Sequence, residues 1–271
     1  MISKTKLKEL AVYKQQKVCD EQVVFVVEGV KMCHEALAAK WPVKVICALN
    51  SWLSQHPDLP LDAEVFEVDD TALERLSSLR APNEVWMLLA RPRPRPLFRG
   101  VVEDRGMSRY PLEDSPSEAG LVLALDHLQD PGNLGTIIRT ADWFGVRHIV
   151  CSEGTVSCFN PKVVQATMGG IFRTQVVYTH LPDYLRACGR PVYGALLDGD
   201  SIWNDGRPLR LPQEGAVLVV GNESRGITPE VQQCVTHRVA IPNLGGTAES
   251  LNASVACAIL LAEMLRCHEQ T

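Results

Sequence analysis

Apolar and polar positions along the 271-residue chain fall into a recurring order: short apolar runs followed by segments of helical periodicity. The chain opens on a helical stretch, Lys4 to Gln16, whose lysines occupy most faces and whose apolar anchors are few. That predicts a surface helix or an arm. From Val23 the alternation sets in, with strands at Val23–Val27, Val43–Leu49, Glu64–Val68 and Glu84–Ala90 and helices at Gly29–Ala39 and Thr71–Leu79. Thr71 and Glu74 have the spacing of a capping box for the second helix. The pattern is that of a small α/β domain.

A second alternating region starts at Leu121. Leu121–Leu125, His148–Cys151, Thr174–Tyr178, Val192–Leu196, Ala216–Val220 and Arg238–Ile241 read as strands. Several are apolar throughout, as strands of a parallel sheet buried on both faces are. Helices are predicted from about Thr136 to Phe144, with Gly145 in the C′ position, over Pro161–Met168 and Pro182–Cys188, and from Ser250 to about Arg266. In the last of these Leu251, Val255, Ala258, Ile259 and Ala262 share one face. Ala253, Ser254 and Ala256 keep its first turns slim, leaving room for a neighbouring loop or a second subunit. Between the two regions, Arg91-Pro92-Arg93-Pro94-Arg95-Pro96 and a polar stretch to Gly120 bar both helix and central strand. The expected organisation is a domain at 1–92, a linker at 93–119 and a larger α/β domain at 120–271.

Composition adds a compartment. The nine cysteines, Cys19, Cys33, Cys47, Cys151, Cys158, Cys188, Cys234, Cys257 and Cys267, form no C-x-x-C pair, which favours free thiols in a reducing cytoplasm and no metal site. No apolar run approaches the ~20 residues of a membrane span, and a signal-peptide core is absent from the N-terminus. A formal net charge of −5 argues against general attraction to nucleic acid, yet the charge is uneven. Residues 1–20 hold five lysines against Glu9 and Asp20, and residues 91–110 hold six arginines against Glu103 and Asp104. Both segments suit a local phosphate-binding face; on charge alone, solvated tail and spacer are the plainer readings.

Ligands of open α/β sheets bind outside the carboxyl ends of the strands, so the turns there are the candidate site. No G-x-G, G-K-[ST] or G-x-S-x-G occurs, which excludes the dinucleotide fingerprint and the P-loop and weakens a hydrolase reading. The turns instead hold Asn133, Arg139, Glu223, Ser250 and Asn252. Taken singly, each has a structural explanation: a surface arginine, an ion-pair glutamate, a helix N-cap serine. Their convergence on three strand-to-helix turns is what points to a site.

Three segments then carry a resemblance. Leu125 to Val146 (LDHLQDPGNLGTIIRTADWFGV), Leu218 to Thr228 (LVVGNESRGIT) and Ile241 to Leu260 (IPNLGGTAESLNASVACAIL) resemble, in order and spacing, the signature motifs of the SpoU family of RNA ribose 2′-O-methyltransferases in the SPOUT superfamily. Asn160-Pro161-Lys162 and Gln165 to Gly170 are similar to the family as well, and Phe25-Val26-Val27-Glu28-Gly29 resembles the ribosomal-protein-like substrate-binding domain fused to it.

The resemblance implies a C-terminal parallel sheet with a deep trefoil knot that holds S-adenosylmethionine, in a homodimer acting on RNA, ribosomal RNA before tRNA. It implies Arg139 as the catalytic arginine, Asn133, Glu223, Ser250 and Asn252 as organisers of the site, and Leu218, Gly221, Ile241 and Leu251 as cofactor-binding positions. Arg139 is then either the base that draws off the hydroxyl proton or a clamp for phosphate and alkoxide charge. Two departures stand out: the segment from Ile241 to Ser250 is one residue longer than the usual motif, and Asn243 replaces a common methionine. A non-catalytic RNA-binding protein, or a methyltransferase acting on a base or a protein, are the competing classes.

Overall fold

Five consecutive buried residues, Val24–Glu28, form the strand β1 on which the N-terminal region is built. The computed structural model describes residues 2–79, 81–93, 108–109, 120–203 and 209–266. β1 runs antiparallel to β4 (Val85–Ala90), which pairs antiparallel with β2 (Val43–Ala48), and β2 pairs in parallel with β3 (Glu64–Glu67). The strand order is therefore β1-β4-β2-β3. Around this sheet lie α1 (Lys4–Ala11), α2 (Gln16–Glu21), α3 (Val30–Ala38), α4 (Asn50–Gln55) and α5 (Asp70–Leu76).

Two expectations are corrected here. The predicted helix from Lys4 to Gln16 ends at Ala11, and a 3-10 turn over Val12–Lys14 leads into α2. It is not a loose arm: Leu7 and Leu10, one turn apart, are buried in the core with Val24, Val45, Leu73 and Trp86. Two leucines on one stripe suffice to seat a short helix. Helix α5 is capped by Asp69, whose Oδ1 accepts from the Ala72 N–H at 2.8 Å, and not by Thr71. Aspartate at the N-cap satisfies the orphan donor that the threonine box would have served.

Beyond β4, β5 (Pro92–Arg93) pairs in parallel with β6 (Ser108–Arg109). The rest of the expected linker up to residue 119 lies outside the described residues, as does Cys267.

The C-terminal region is a six-stranded sheet of β7 (Leu121–Leu125), β8 (His148–Ser152), β9 (Gln175–Thr179), β10 (Val192–Ser201), β11 (Ala216–Val220) and β12 (His237–Ala240). Every pairing is parallel and the order is β12-β10-β11-β7-β8-β9. The all-apolar strands β7 and β11 are the central pair and are buried throughout, in level register from Ala216↔Leu121 to Val220↔Leu125. β10 extends past the expected Leu196, and its pairing with β12 shifts between Ala195 and Asp200. The helices are α6 (Pro131–Trp143), α7 (Pro161–Ala166), α8 (Leu181–Ala187), α9 (Pro229–Gln232) and α10 (Ala253–Leu265).

From β7 the chain steps outward to β8 and β9, then returns on the other side with β10, β11 and β12. The order thus reverses beside the β7 and β11 pair, and the crevice outside their carboxyl ends is the switch point at which such sheets bind ligands. By packing, the molecule divides into two units, and Phe159–Phe172 clusters with the N-terminal part of the chain.

Candidate active site

Asp130 and Pro131 set the entry of the site. Asp130 is the N-cap of α6, its Oδ1 accepting from the Asn133 N–H at 2.7 Å, and Pro131 takes the first helical position, where its missing N–H costs nothing. The helix therefore starts five residues before the predicted Thr136, and its first turn includes Gly132 and Asn133. At the far end Phe144 is the C-cap and Gly145, with φ of 73°, turns the chain as expected.

Asn133 is buried and its side chain joins three turns. Its amide donates to Oε1 of Glu223, in the turn after β11. Its Oδ1 accepts from the amide of Asn252, in the turn after β12, at 2.9 Å. Asn252 is itself the N-cap of α10, its carbonyl oxygen accepting from the Ser254 and Val255 N–H groups. The helix accordingly begins at Ala253 rather than at Ser250; Ser250 and Leu251 lie in the turn before it, both exposed.

The positions expected to hold a cofactor are spread in depth. Leu218 is fully buried within β11, beneath the turn, whereas Gly221 and Ile241 are half-buried and Leu251 is exposed. Gly221 has a structural reason of its own. A Cβ there would stand 2.3 Å from the Gly226 carbonyl carbon and 2.4 Å from the Ile227 nitrogen, so the turn closes on itself only because this residue has no side chain.

Four further residues build the site and were not singled out from the sequence. Asp126, directly after β7, is buried; its Oδ2 accepts from both the N–H and the hydroxyl of Thr228 at 2.7 Å, and its Oδ1 lies 2.8 Å from Nδ1 of His127. It ties the turn after β7 to the turn after β11. Asn222 donates to the His127 carbonyl at 3.0 Å, and its Oδ1 accepts from the Ser224 and Arg225 N–H groups. The readable signal was a carboxylate or amide placed directly after an apolar strand, where buried polar atoms need partners.

Asn243, expected from the sequence to depart from the family motif, folds the turn after β12. Its Oδ1 accepts from the N–H of Gly245 at 3.0 Å and of Gly246 at 2.7 Å, and its amide donates to the carbonyls of Gly246 and Ala248. One carboxamide thus uses both donors and its acceptor oxygen inside the turn, a task a methionine cannot perform.

Arg139 is not brought into this cluster. Six helical residues separate it from Asn133, a rotation of about 240° around α6, and its side chain is exposed. It shares the outer face of α6 with Gly132, Thr136 and Trp143, the last 85 % exposed. α10 packs beside α6 and turns its own apolar residues outward: Val255 is 47 % exposed, Ala262 is exposed, and Ala258 and Ile259 are half-covered. The helical face read from the sequence is this outward one; Cys257, Leu260, Leu261 and Met264 fill the core. Among the described residues the cysteines are free thiols, and burial pushes Cys257 up to about 12, leaving it protonated and inert as a nucleophile.

Comparison with known proteins accords with this geometry. Residues 120–262 match the model of the SpoU rRNA Methylase family, and residues 4–86 match the MRM3-like substrate binding domain. The chain is 31% identical over 242 residues to the 23S rRNA (guanosine(2553)-2′-O)-methyltransferase RlmP of Bacillus subtilis, covering 88% of this chain and 86% of that protein. Among solved structures it is similar to a TrmH-family protein from Porphyromonas gingivalis, with a TM-score of 0.81 at 37% identity over 98% of this chain and 99% of the other. An AdoMet-bound rRNA methyltransferase from Sinorhizobium meliloti gives a TM-score of 0.82 at 29% identity, over 100% of this chain and 98% of the other. Since the first of these matches spans more than half of the 271 residues, the chain belongs to the SpoU rRNA methylase family.

Proposed function

We propose that this protein transfers a methyl group from S-adenosylmethionine to a ribose 2′-hydroxyl of RNA, with ribosomal RNA as the substrate class. The observation that carries the reading is the hydrogen-bonded series Glu223, Asn133, Asn252, which fastens together the turns after β7, β11 and β12 at the ligand-binding edge of the sheet. The names of the full-length relatives support it: one acts on a 2′-oxygen of 23S rRNA, and another rRNA methyltransferase is AdoMet-bound.

The residues present fit the cofactor. The cofactor would lie against the main chain at Gly221, Ile241 and Leu251, and Gly221, where no Cβ has room, leaves its turn with bare backbone. S-adenosylmethionine supplies, when bound, a sulfonium methyl group open to a nucleophile. A ribose hydroxyl is a weak nucleophile until its proton is drawn off, and with no side chain assigned as base that proton would pass to solvent water. A guanidinium keeps its own proton and has no acceptor, so Arg139 acts as a clamp: it holds the neighbouring phosphate and stabilises the charge that develops on the ribose oxygen. Asn133, Glu223 and Asn252 fix the turns around that oxygen, with the exposed Ser250 on the last of them, which is catalysis mainly by positioning.

The deep trefoil knot of the family and a homodimer belong to the same reading. The outward residues Trp143 of α6 and Val255, Ile259 and Ala262 of α10 supply apolar surface for a second copy, and Arg139 on the outer face of α6 then reaches a site shared between subunits. No helix among the described residues is long and apolar enough to cross a membrane, and the proposed setting is the cytoplasm, where the described thiols stay reduced.

The test is calorimetric titration with S-adenosylmethionine, then methyl transfer to rRNA from a strain lacking the gene, with the modified nucleoside mapped. Binding followed by methylation of a ribose is expected. Methylation confined to a base, or no cofactor binding, would reject the proposal, the second outcome pointing to a non-catalytic RNA-binding protein.

A further inference from the structure

A groove of about 470 Å³ runs between α1 and α5 in the N-terminal unit, lined by Lys4, Leu7, Lys8, Ala11, Lys14 and Arg75. Lys4, Leu7, Lys8 and Ala11 recur at helical spacing, so they form one stripe of α1: the two lysines stand at the rim while Leu7 is buried at the floor. Arg75 faces them from α5. Lys14 closes the corner, its Nζ donating to the Glu74 carbonyl at 3.2 Å.

On this lining four cations face one carboxylate, while Glu67 and Asp69 line the adjoining cleft that shares Lys4 and Arg75. Lys4, Lys8 and Arg75 are exposed, and among the described residues none of them lies within ion-pair distance of a carboxylate. Glu74 is the one acidic residue on the lining. Acidic partners are spent instead on Lys6, which sits between Glu9 at 3.2 Å and Glu64 at 3.1 Å. Like charges four residues apart destabilise a helix, and lysines in a first turn oppose its dipole, yet α1 has both arrangements and no acidic residue in that turn. Lys8, in the last turn, suits the dipole, whereas Lys4 in the first turn does not, and an external polyanion would offset that cost.

On a chain with a net charge of −5, attraction for nucleic acid has to be local. Screening limits the reach of exposed charges to about 8 Å at physiological salt, so only a cluster of cations within one groove serves. We infer that the groove between α1 and α5 binds the sugar-phosphate backbone of the RNA substrate, with Lys4, Lys8, Lys14 and Arg75 on phosphate oxygens. Backbone contacts of this kind hold the RNA in register without reading its sequence. The inference rests on RNA being the substrate, as proposed above.

The experiment measures the affinity of the full-length protein for deproteinised rRNA from a strain lacking the gene, at several salt concentrations. The variant Lys4→Glu/Lys8→Glu/Arg75→Glu is compared with Lys31→Glu/Lys44→Glu, which reverses exposed cations of the same unit outside the groove. The groove variant is expected to bind about tenfold or more weakly, with the slope of log affinity on log salt smaller by about two, as each lost phosphate contact removes about 0.7 to 0.9. Its KM for rRNA rises while kcat and S-adenosylmethionine binding hold. The milder Lys4→Gln/Lys8→Gln/Arg75→Gln variant gives the same direction and decides the matter if the first does not fold. Equal losses in the control variant, or none in the groove variants, would overturn the inference. If wild type neither binds cofactor nor methylates, the methyltransferase proposal fails by itself, and a groove-dependent loss of rRNA affinity would still uphold the binding site.

Discussion

Asn252 donates its amide to the Oδ1 of Asn133 at 2.9 Å, across 119 residues of chain. The carbonyl of the same side chain caps α10, so one residue both starts a helix and fastens the turn after β12 to α6. The two roles can be separated. Asn252→Ala loses cap and bridge together and should cost about 1 kcal/mol or more in a urea unfolding curve. Asn252→Ser caps equally well but is too short to reach Asn133. It is expected to unfold near the wild-type midpoint while methyl transfer drops about tenfold. Full activity in the serine variant would remove the bridge from the site.

Arg139 supports a cleaner experiment because it is exposed on the outer face of α6. An exposed residue of this kind changes stability by no more than about 0.5 kcal/mol when truncated. Arg139→Ala should therefore melt like wild type and still bind S-adenosylmethionine, while turnover falls about 100-fold or more through lost electrostatic stabilisation. Arg139→Lys, a point charge without the planar fork, should recover only part of the rate. Unchanged turnover in the alanine variant would exclude both the base and the clamp.

What could be read in the sequence, and what could not, follows from how far each interaction reaches along the chain. The apolar runs at Leu121–Leu125 and Ala216–Val220 announced central strands because burial on both faces leaves no polar positions. Helix starts were misplaced wherever several polar residues competed for the cap: Asp69 over Thr71, Asp130 well before Thr136, Asn252 over Ser250. The partnership of Asp126 with Thr228 spans 102 residues, and no local pattern encodes it. The α10 face was recognised, but periodicity gives a face without saying whether its cover is the core or a second chain; Val255 turned out to point away from the core.

Gly221 tests whether a glycine in the site is there for the cofactor or for the turn. With backbone atoms of Gly226 and Ile227 at 2.3 and 2.4 Å from a Cβ, Gly221→Ala cannot be absorbed by a side chain moving aside. The cofactor-free protein should lose about 2 kcal/mol as the turn is forced open. A melting temperature that is unchanged without cofactor, paired with weakened S-adenosylmethionine binding, would instead assign the glycine to the ligand alone.

The proposed subunit contact predicts a change of mass. Val255→Asp places a carboxylate at the N-terminal end of the outward face of α10 and leaves the buried core residues Cys257, Leu260 and Met264 unchanged. Sedimentation should show a dimer for wild type and a folded monomer for the variant, with methyl transfer reduced because Arg139 no longer meets its shared site. A stable wild-type monomer with full activity would refute the contact.

Glu28 makes stability depend on pH with a definite sign. It closes β1 at 5 % exposure and accepts from the Ser77 hydroxyl and from the Ser78 N–H at 3.0 Å. Burial pushes its carboxyl up, and the two hydrogen bonds pull back only part of the way. In the unfolded chain a glutamate titrates near about 4.3, so between that value and the raised one the folded state holds the extra proton. Stability from this group is then complete below the unfolded value, declines as pH rises through the folded one and is level above it. Glu28→Gln removes the titration and fits the same partners, its carbonyl toward Ser78 N–H and its amide toward the Ser77 oxygen. Urea midpoints measured from pH 4 to 8 should show the glutamine variant gaining on wild type as pH rises, then holding a constant lead. Parallel curves across that range would mean that the Glu28 proton is not linked to folding.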